Sequence, residues 1–160
     1  DFTNPYEANV AYRLFVPFTF EKGFQLYDED YSDEIDWDME DWTAEHLNAE
    51  INGVGLSTIP LDIVLSVEAL DKDGKVLPIK FSPVTLQAAT NEQAKETALT
   101  TTSNDVNGDV LSKLVKIKFV AKAKANAAVQ LKSSQYIQLK DLKVKLSGAT
   151  VIDLNSKDKK

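Results

Sequence analysis

The residues with the clearest chemical potential are concentrated in one short stretch, residues 28–41. Nine of its fourteen residues are acidic and none is basic. Aromatic residues lie in it and beside it, including both tryptophans of the chain. Carboxylates can bind a hard cation or accept hydrogen bonds from sugar hydroxyls, and flat aromatic rings can stack on a sugar ring. The composition therefore indicates two kinds of candidate site, one for saccharide and one for calcium.

The saccharide hypothesis uses the aromatic rings as a platform and two carboxylates as hydrogen-bond acceptors. The platform residues are Tyr27, Tyr31, Trp37 and Trp42, and the acceptors are Asp36 and Asp38. The alternative is that the two tryptophans are buried and fix this segment to the rest of the domain. Large aromatic residues are mostly buried for packing, so the sequence favours this second interpretation of the tryptophans.

The calcium hypothesis rests on carboxylates at alternate positions. These are Asp28 and Asp30, followed by Asp36, Asp38 and Glu40. A hard cation can gather such oxygens, but the glycine that an EF-hand loop carries at its sixth position is missing. The alternative, which we favour, is an acidic loop neutralised by solvent ions or by the protein's own lysines. We therefore predict no cofactor, with calcium as the one metal to test.

The sequence offers little for catalysis. Its only histidine is His46 and it has no cysteine, so a cysteine nucleophile and a thiolate zinc site are excluded. It has no G-x-S-x-G motif for a serine nucleophile. A glycosidase needs two carboxylates at a set separation, usually from separate strands, whereas acids crowded along one segment are typical of a solvated loop. We predict that the protein is not an enzyme.

Charge is distributed unevenly along the chain. The net charge is −7; residues 1–60 carry two basic and fourteen acidic groups, and residues 61–160 carry sixteen basic and eleven acidic groups. Net acidity argues against nucleic-acid binding, which requires many basic contacts to phosphate. Lysines alternate with apolar residues in residues 115–124, which predicts a strand with an outer lysine stripe. We favour the interpretation that these lysines deter edge pairing and aggregation. The alternative is that the stripe binds an acidic polymer through Lys116, Lys118, Lys122 and Lys124, with Lys143 and Lys145, although it lacks interleaved aromatic residues and arginines.

The fold class is indicated by residues 58–83. Apolar residues alternate through residues 61–69, Asp71-Lys72-Asp73-Gly74 supplies a turn, and the alternation resumes at Leu77. Pro78 cannot donate to a strand ladder, which predicts either that the second strand of this hairpin is at an edge or that its amide side faces solvent at this residue. Further alternating segments and turn signals, with little helix, predict an all-β fold. We expect an immunoglobulin-like antiparallel β-sandwich of about seven or eight strands, with one long acidic loop or short helix.

At 160 residues the chain is long enough for one domain with a substantial core. We predict a single domain over residues 1–160, with an acidic, aromatic-rich insertion at about 24–42 and a polar tail at 155–160. No apolar run is long enough to span a membrane, and no signal peptide is present. The sequence begins with Asp1 and not methionine, so we expect a processed or trimmed piece of a longer precursor.

Two phrases carry a resemblance to a known family. They are I-P-L-D-I-V-L-S-V-E-A-L-D-K-D-G-K-V and L-K-S-S-Q-Y-I-Q-L-K-D-L-K-V-K-L-S-G. Together they resemble the C-terminal sandwich domains of uncharacterised surface lipoproteins from Bacteroidota, over about residues 44–154. The resemblance implies export, an all-β fold and a lipid anchor on a cysteine upstream of this sequence. The family's motifs are structural and its members mostly lack an assigned activity, and the acidic segment does not match it.

These observations lead to one expected function and one alternative. We expect a non-enzymatic exported or cell-surface domain, in the periplasm or on the outer membrane, with a binding or structural role. The alternative is a carbohydrate-binding module of a glycan-uptake or adhesion system. The expected partner is a protein or a polysaccharide at the cell surface and not a nucleic acid, and contact with the membrane is expected only through the lipid anchor.

Overall fold

The computed structural model describes residues 6–12, 19–35 and 46–149, and almost all of its regular structure is β. Within these residues there are eleven strands and one helix of a single turn. The strands are β1 Tyr6–Tyr12, β2 Thr19–Phe20, β3 Gln25–Tyr31, β4 His46–Ser57, β5 Ile63–Leu70, β6 Val76–Lys80, β7 Val84–Leu86, β8 Lys95–Val106, β9 Lys116–Lys124, β10 Val129–Gln130 and β11 Ile137–Ala149. The helix, α1, spans Gly108–Leu111, and the side chain of Asn107 caps it.

Two antiparallel sheets form the body of the domain. The first has the strand order β1-β11-β4-β8, and the second has the order β3-β9-β5-β6, with β7 also pairing with β5. A small third sheet pairs β2 with β10. The predicted all-β antiparallel sandwich is confirmed. Eight of the strands have five residues or more, which agrees with the predicted number of about seven or eight, and three are shorter.

The core lies between the inner faces of the two sheets, where the predicted alternation places the apolar side chains. Along β9, Ile117 and Phe119 are buried on the inner face while the lysines alternate with them. The facing sheet has one glycine, Gly55, where the two layers approach closely. A Cβ atom on Gly55 would lie 2.4 Å from a methyl carbon of Leu86, a completely buried residue of β7. Close packing thus depends on a small residue at this point of β4.

The hairpin predicted for residues 58–83 is confirmed as β5 and β6. The carboxylate of Asp71 accepts hydrogen bonds from the backbone amides of Asp73 and Lys75, at 2.9 and 2.8 Å. Gly74 has a φ of 76°, a backbone conformation that glycine adopts without strain. Strand β6, which contains Pro78, is at the edge of its sheet, as the missing proline amide predicts.

The acidic segment differs from the prediction in its first part. We expected a loop or a short helix, but residues 25–31 form strand β3, which pairs with β9 along its whole length. The amide of Ser32 continues this pairing by donating to the carbonyl of Ile117 at 2.8 Å. One contribution is an ion pair between Lys118 of β9 and Glu29, an attraction across the sheet that the sequence of β3 alone does not reveal. Residues 36–45 and the polar tail at 155–160 lie outside the described residues.

Candidate functional site

The outer face of the second sheet carries a group of interacting polar and aromatic side chains. Strand register places alternate residues of β3, β9 and β5 on this face. We name it the tyrosine face and define it by Tyr27, Glu29, Tyr31, Val64, Glu68, Lys118 and Lys122. Tyr27 lies opposite Lys122, which lies opposite Val64. Tyr31 lies opposite Lys118, which lies opposite Glu68.

Two tyrosines protrude from this face. Tyr27 is 58% exposed and Tyr31 is 49% exposed, although large aromatic side chains are mostly buried. Both hydroxyls point towards the carboxylate of Glu29, which lies between them on β3. The Tyr27 hydroxyl donates a hydrogen bond to it, and the Tyr31 hydroxyl lies at 3.5 Å. The rings are therefore held in place while much of their surface is left to solvent.

Glu29 connects the tyrosines to Lys118. The ammonium group of Lys118 lies 2.8 Å from Glu29 and 3.3 Å from Glu68, and the lysine side chain is only 18% exposed. The hydrogen bond to Glu29 is the main reason that the pKa of Lys118 is raised well above its ordinary value, and desolvation opposes it. The same bond, followed by that from Tyr27, lowers the pKa of Glu29. At neutral pH this part of the face is a fixed network of charged groups.

A depression of about 510 Å³ opens at the other end of the tyrosine face. Its wall includes the aromatic ring of Tyr27 and the side chain of Val64. The ammonium group of Lys122 lies 5.5 Å from the centroid of the Tyr27 ring, within the range of a cation–π contact. The polar residues around it are Gln25, Asp62, Lys124 and Asn126. We name this feature the Tyr27 depression, and its volume is within the range of small-ligand sites.

The structure brings together two of the residues that the sequence predicted for saccharide binding, Tyr27 and Tyr31. The other four lie outside the described residues: Trp37, Trp42, Asp36 and Asp38. Whether the tryptophans are buried or exposed therefore stays a prediction. The two tyrosines are four residues apart on one strand, so their Cα atoms are about 13 Å apart along it.

Of the five carboxylates predicted for calcium, only Asp28 and Asp30 are described. They alternate with the tyrosines, so they lie on the opposite face of β3 from Glu29. Their carboxylates accept hydrogen bonds from the backbone amides of Glu29 and Tyr31, at 2.7 and 2.8 Å. Within the described ranges no group of three potential ligands is close enough to hold a metal. Asp36, Asp38 and Glu40 lie outside these ranges, so the complete calcium hypothesis stays a prediction.

From the sequence, Glu29 belonged to no candidate site, and Lys118 and Lys122 belonged only to a lysine stripe that could bind an acidic polymer. The available signal was the alternation of lysines in residues 115–124 together with the acids of residues 28–34, which have opposite charge. Their pairing depends on the position of β3 beside β9. Glu34 and Lys116, whose charged groups are 3.4 Å apart, extend the same pattern. These pairs agree with the favoured interpretation, in which the protein's own lysines neutralise the acidic segment.

His46 begins β4 in the first sheet, away from the tyrosine face. Its Nδ1 contacts the carboxylate of Asp105, and both side chains are exposed. In the part of the chain that the structure describes, no helix is long and apolar enough to cross a membrane.

Comparison with known proteins identifies a fold and no family. No protein-family model matches the chain, and no curated protein matches it. Among solved structures, the chain is similar to the crystal structure of a "putative secreted protein" from Parabacteroides distasonis, with a TM-score of 0.64 and 15% sequence identity. The match covers 81% of this chain but only 40% of the Parabacteroides chain. The fold and the site together define an antiparallel β-sandwich with an exposed aromatic and charged sheet face.

Proposed function

We propose that the chain is a non-enzymatic β-sandwich domain of an exported protein, and that it binds its partner through the tyrosine face. The description of the Parabacteroides protein as secreted supports export, and so does the resemblance to surface lipoproteins in residues 44–154. Membrane association would come only from a lipid anchor elsewhere in the precursor. The partner would be a protein or a polysaccharide at the cell surface, with no nucleic acid and no cofactor.

One observation carries the binding role: two large aromatic rings are exposed and oriented on the same sheet face. Exposed aromatic residues on a rigid sheet lose little conformational entropy when a partner covers them. The hydrogen bonds to Glu29 orient Tyr27 and Tyr31 before any ligand arrives. The surrounding charges provide the polar rim that binding surfaces usually have. A role limited to scaffolding would not require this arrangement.

A carbohydrate is the second candidate partner, and the Tyr27 depression favours it. An aromatic ring can stack on the apolar face of a pyranose, while amide, ammonium and carboxylate groups bond its hydroxyls. Tyr27, Gln25 and Asp62 supply these groups within one concavity. Trp37, Trp42, Asp36 and Asp38 remain proposed members of the same binding surface. The protein would then serve as a carbohydrate-binding module in glycan uptake or adhesion.

Affinity electrophoresis against a panel of plant and host polysaccharides tests this proposal. We expect at least one polysaccharide to retard the wild-type protein and the Tyr27→Ala/Tyr31→Ala variant to migrate freely. Val76→Ala is the matched control, because Val76 is also an exposed apolar side chain in the same sheet but lies on β6. Equal retardation of the tyrosine variant would show that binding occurs elsewhere on the protein. The absence of retardation by any polysaccharide would eliminate the carbohydrate candidate and leave a protein partner.

Tryptophan fluorescence in the same titrations tests the rest of the predicted platform. Both tryptophans of the chain belong to it, so a saturable shift in emission would place Trp37 or Trp42 at the ligand. Repeating the titration with added calcium and with a chelator tests the metal. A shift that the chelator abolishes would support a calcium-organised segment, and an equal shift under both conditions would contradict the calcium hypothesis.

A further inference from the structure

We infer that the Tyr27 depression is a subsite for an acidic saccharide, one that carries a carboxylate or a sulfate group. This inference rests on the proposed binding function and specifies the class of ligand. The lysines along β9 differ in whether they form ion pairs. Lys116 and Lys118 form ion pairs with acidic residues, whereas neither Lys122 nor Lys124 forms an ion pair with any described residue.

The two lysines without ion pairs line the same concavity. They are two residues apart on one face of β9, so their Cα atoms are about 7 Å apart. Strand pairing places Lys122 opposite Tyr27 and Lys124 opposite Gln25. The concavity therefore has two ammonium groups beside an aromatic ring and an amide. Among the described residues that line it, Asp62 is the single carboxylate, so these residues carry a net positive charge in a protein whose net charge is −7.

Asp62 is held in place by a hydrogen bond from the backbone amide of Ala88 at 2.8 Å. One of its oxygens is engaged in this bond, and the second can accept a bond from a sugar hydroxyl. Val64, an exposed residue of the lining, can contact the apolar face of the sugar together with the Tyr27 ring. Gln25 and Asn126 can both donate to and accept from hydroxyl groups. The lining thus matches a sugar ring with one acidic substituent better than a purely apolar or purely ionic ligand.

The ligand class follows from the cationic groups of the site, which are the ammonium groups of lysines. Lysine binds an anion as a point charge, without the two-pronged geometry that arginine offers to carboxylate or phosphate. The sequence contains one arginine, at position 13, so the site depends on ammonium groups. Such a site distinguishes acidic from neutral sugars more sharply than carboxylate from sulfate. We therefore expect tighter binding of both kinds of acidic saccharide than of a neutral one.

Calorimetric titration of the complete chain at low ionic strength tests the inference. The probes are tetragalacturonate, a sulfated heparin tetrasaccharide, and the carboxyl-reduced form of the first as the neutral counterpart. We expect at least one acidic probe to bind more tightly than the neutral one, and added salt to weaken its binding. Lys122→Gln/Lys124→Gln should weaken that binding by about tenfold or more, as expected for the loss of charge-assisted hydrogen bonds. Lys122→Arg/Lys124→Arg should retain it.

The matched control is Lys140→Gln/Lys145→Gln, which removes the same charge from β11 in the other sheet. If the control weakened binding as much as the test variant, the interaction would be a general attraction to lysines and the subsite would be refuted. Equal affinity for the acidic and neutral probes, without an effect of Lys122→Gln/Lys124→Gln, would refute the acidic subsite and leave carbohydrate binding intact. Binding of no probe would refute the subsite, while the polysaccharide panel tests the broader function separately. Circular dichroism verifies that each variant is folded.

Discussion

Lys118 and Lys122 lie four residues apart on the same face of the same strand, yet their surroundings differ. Lys118 is held between Glu29 and Glu68 and is mostly covered. Lys122 lies over the ring of Tyr27 and forms no ion pair with a described residue. The difference comes entirely from the neighbouring strands, which supply carboxylates at one end of the face and apolar or aromatic groups at the other. At one end of this face Lys118 is held in ion pairs within the sheet. At the other end Lys122 is available to a ligand.

The largest expected effect is a loss of stability from a change on the buried inner face of β9. This loss is the reference for the other changes. Phe119 follows Lys118 in the sequence and is buried between the sheets. Phe119→Ala should lower the free energy of unfolding by about 3–5 kcal/mol, because it removes buried apolar surface and leaves a cavity. Urea denaturation monitored by circular dichroism measures this loss. A loss similar to that of the exposed variant Val76→Ala would contradict the assigned burial of Phe119.

A smaller loss of stability should distinguish Lys118 from Lys122 directly. Lys118→Met keeps the apolar stem but leaves the carboxylates of Glu29 and Glu68 without the ammonium group that attracts both. Its melting temperature should fall below that of the wild type, whereas Lys122→Met should melt close to the wild type. Scanning calorimetry of the two variants at neutral pH makes the comparison, and equal melting temperatures would show that the two ends of the face do not differ.

A double-mutant cycle tests the reason for this effect. Adding Glu29→Gln to Lys118→Met removes one of the uncompensated carboxylates, so the double variant should lose less stability than the two single changes predict together. Adding the same glutamine to Lys122→Met should deviate less from additivity, because Glu29 and Lys122 form no ion pair and are connected only through Tyr27. Additivity in both cycles would show that Glu29 and Lys118 are adjacent without being coupled.

The sequence predicted much of the fold because each sheet has one face buried in the core. Alternation in β5 and β9 indicated buried strands, and the Asp-Gly signal at residues 71–74 identified the hairpin between β5 and β6. These signals are local, since period-two burial and turn geometry depend on adjacent residues. The acidic strand β3 carried no such signal. Leu26 is its only buried apolar residue, so only its pairing with β9 reveals it as a strand.

The site was less predictable than the fold because it is built across strands. The sequence identified Tyr27 and Tyr31 as candidates from their residue type and from the carboxylates near them. It could not show that Lys122 would lie opposite Tyr27, since the two residues are 95 positions apart and meet only through strand register. It named Asp28 and Asp30 as calcium candidates without Glu29, and the pleat places these two aspartates on the other face of β3 from Glu29. The charge composition predicted that the acidic segment and the protein's lysines attract each other, but it did not show where they meet.

The smallest expected effect is the acid response of Glu29. Its pKa is lowered from the ordinary value of 4.5, mainly by the hydrogen bond from Lys118. A lowered pKa in the folded state gives stability that is complete above the ordinary value and is lost as the pH falls through the lowered one. The denaturation midpoints of wild type and Glu29→Gln should therefore differ at neutral pH and converge well below pH 4.5. The variant Glu96→Gln, which removes an exposed charge from β8, is the control.

Because the raised pKa of Lys118 keeps it charged until strongly alkaline pH, the difference should stay constant between about pH 6 and 9. A difference that persists undiminished in strong acid would show that Glu29 stabilises the face through its packing and not through its charge.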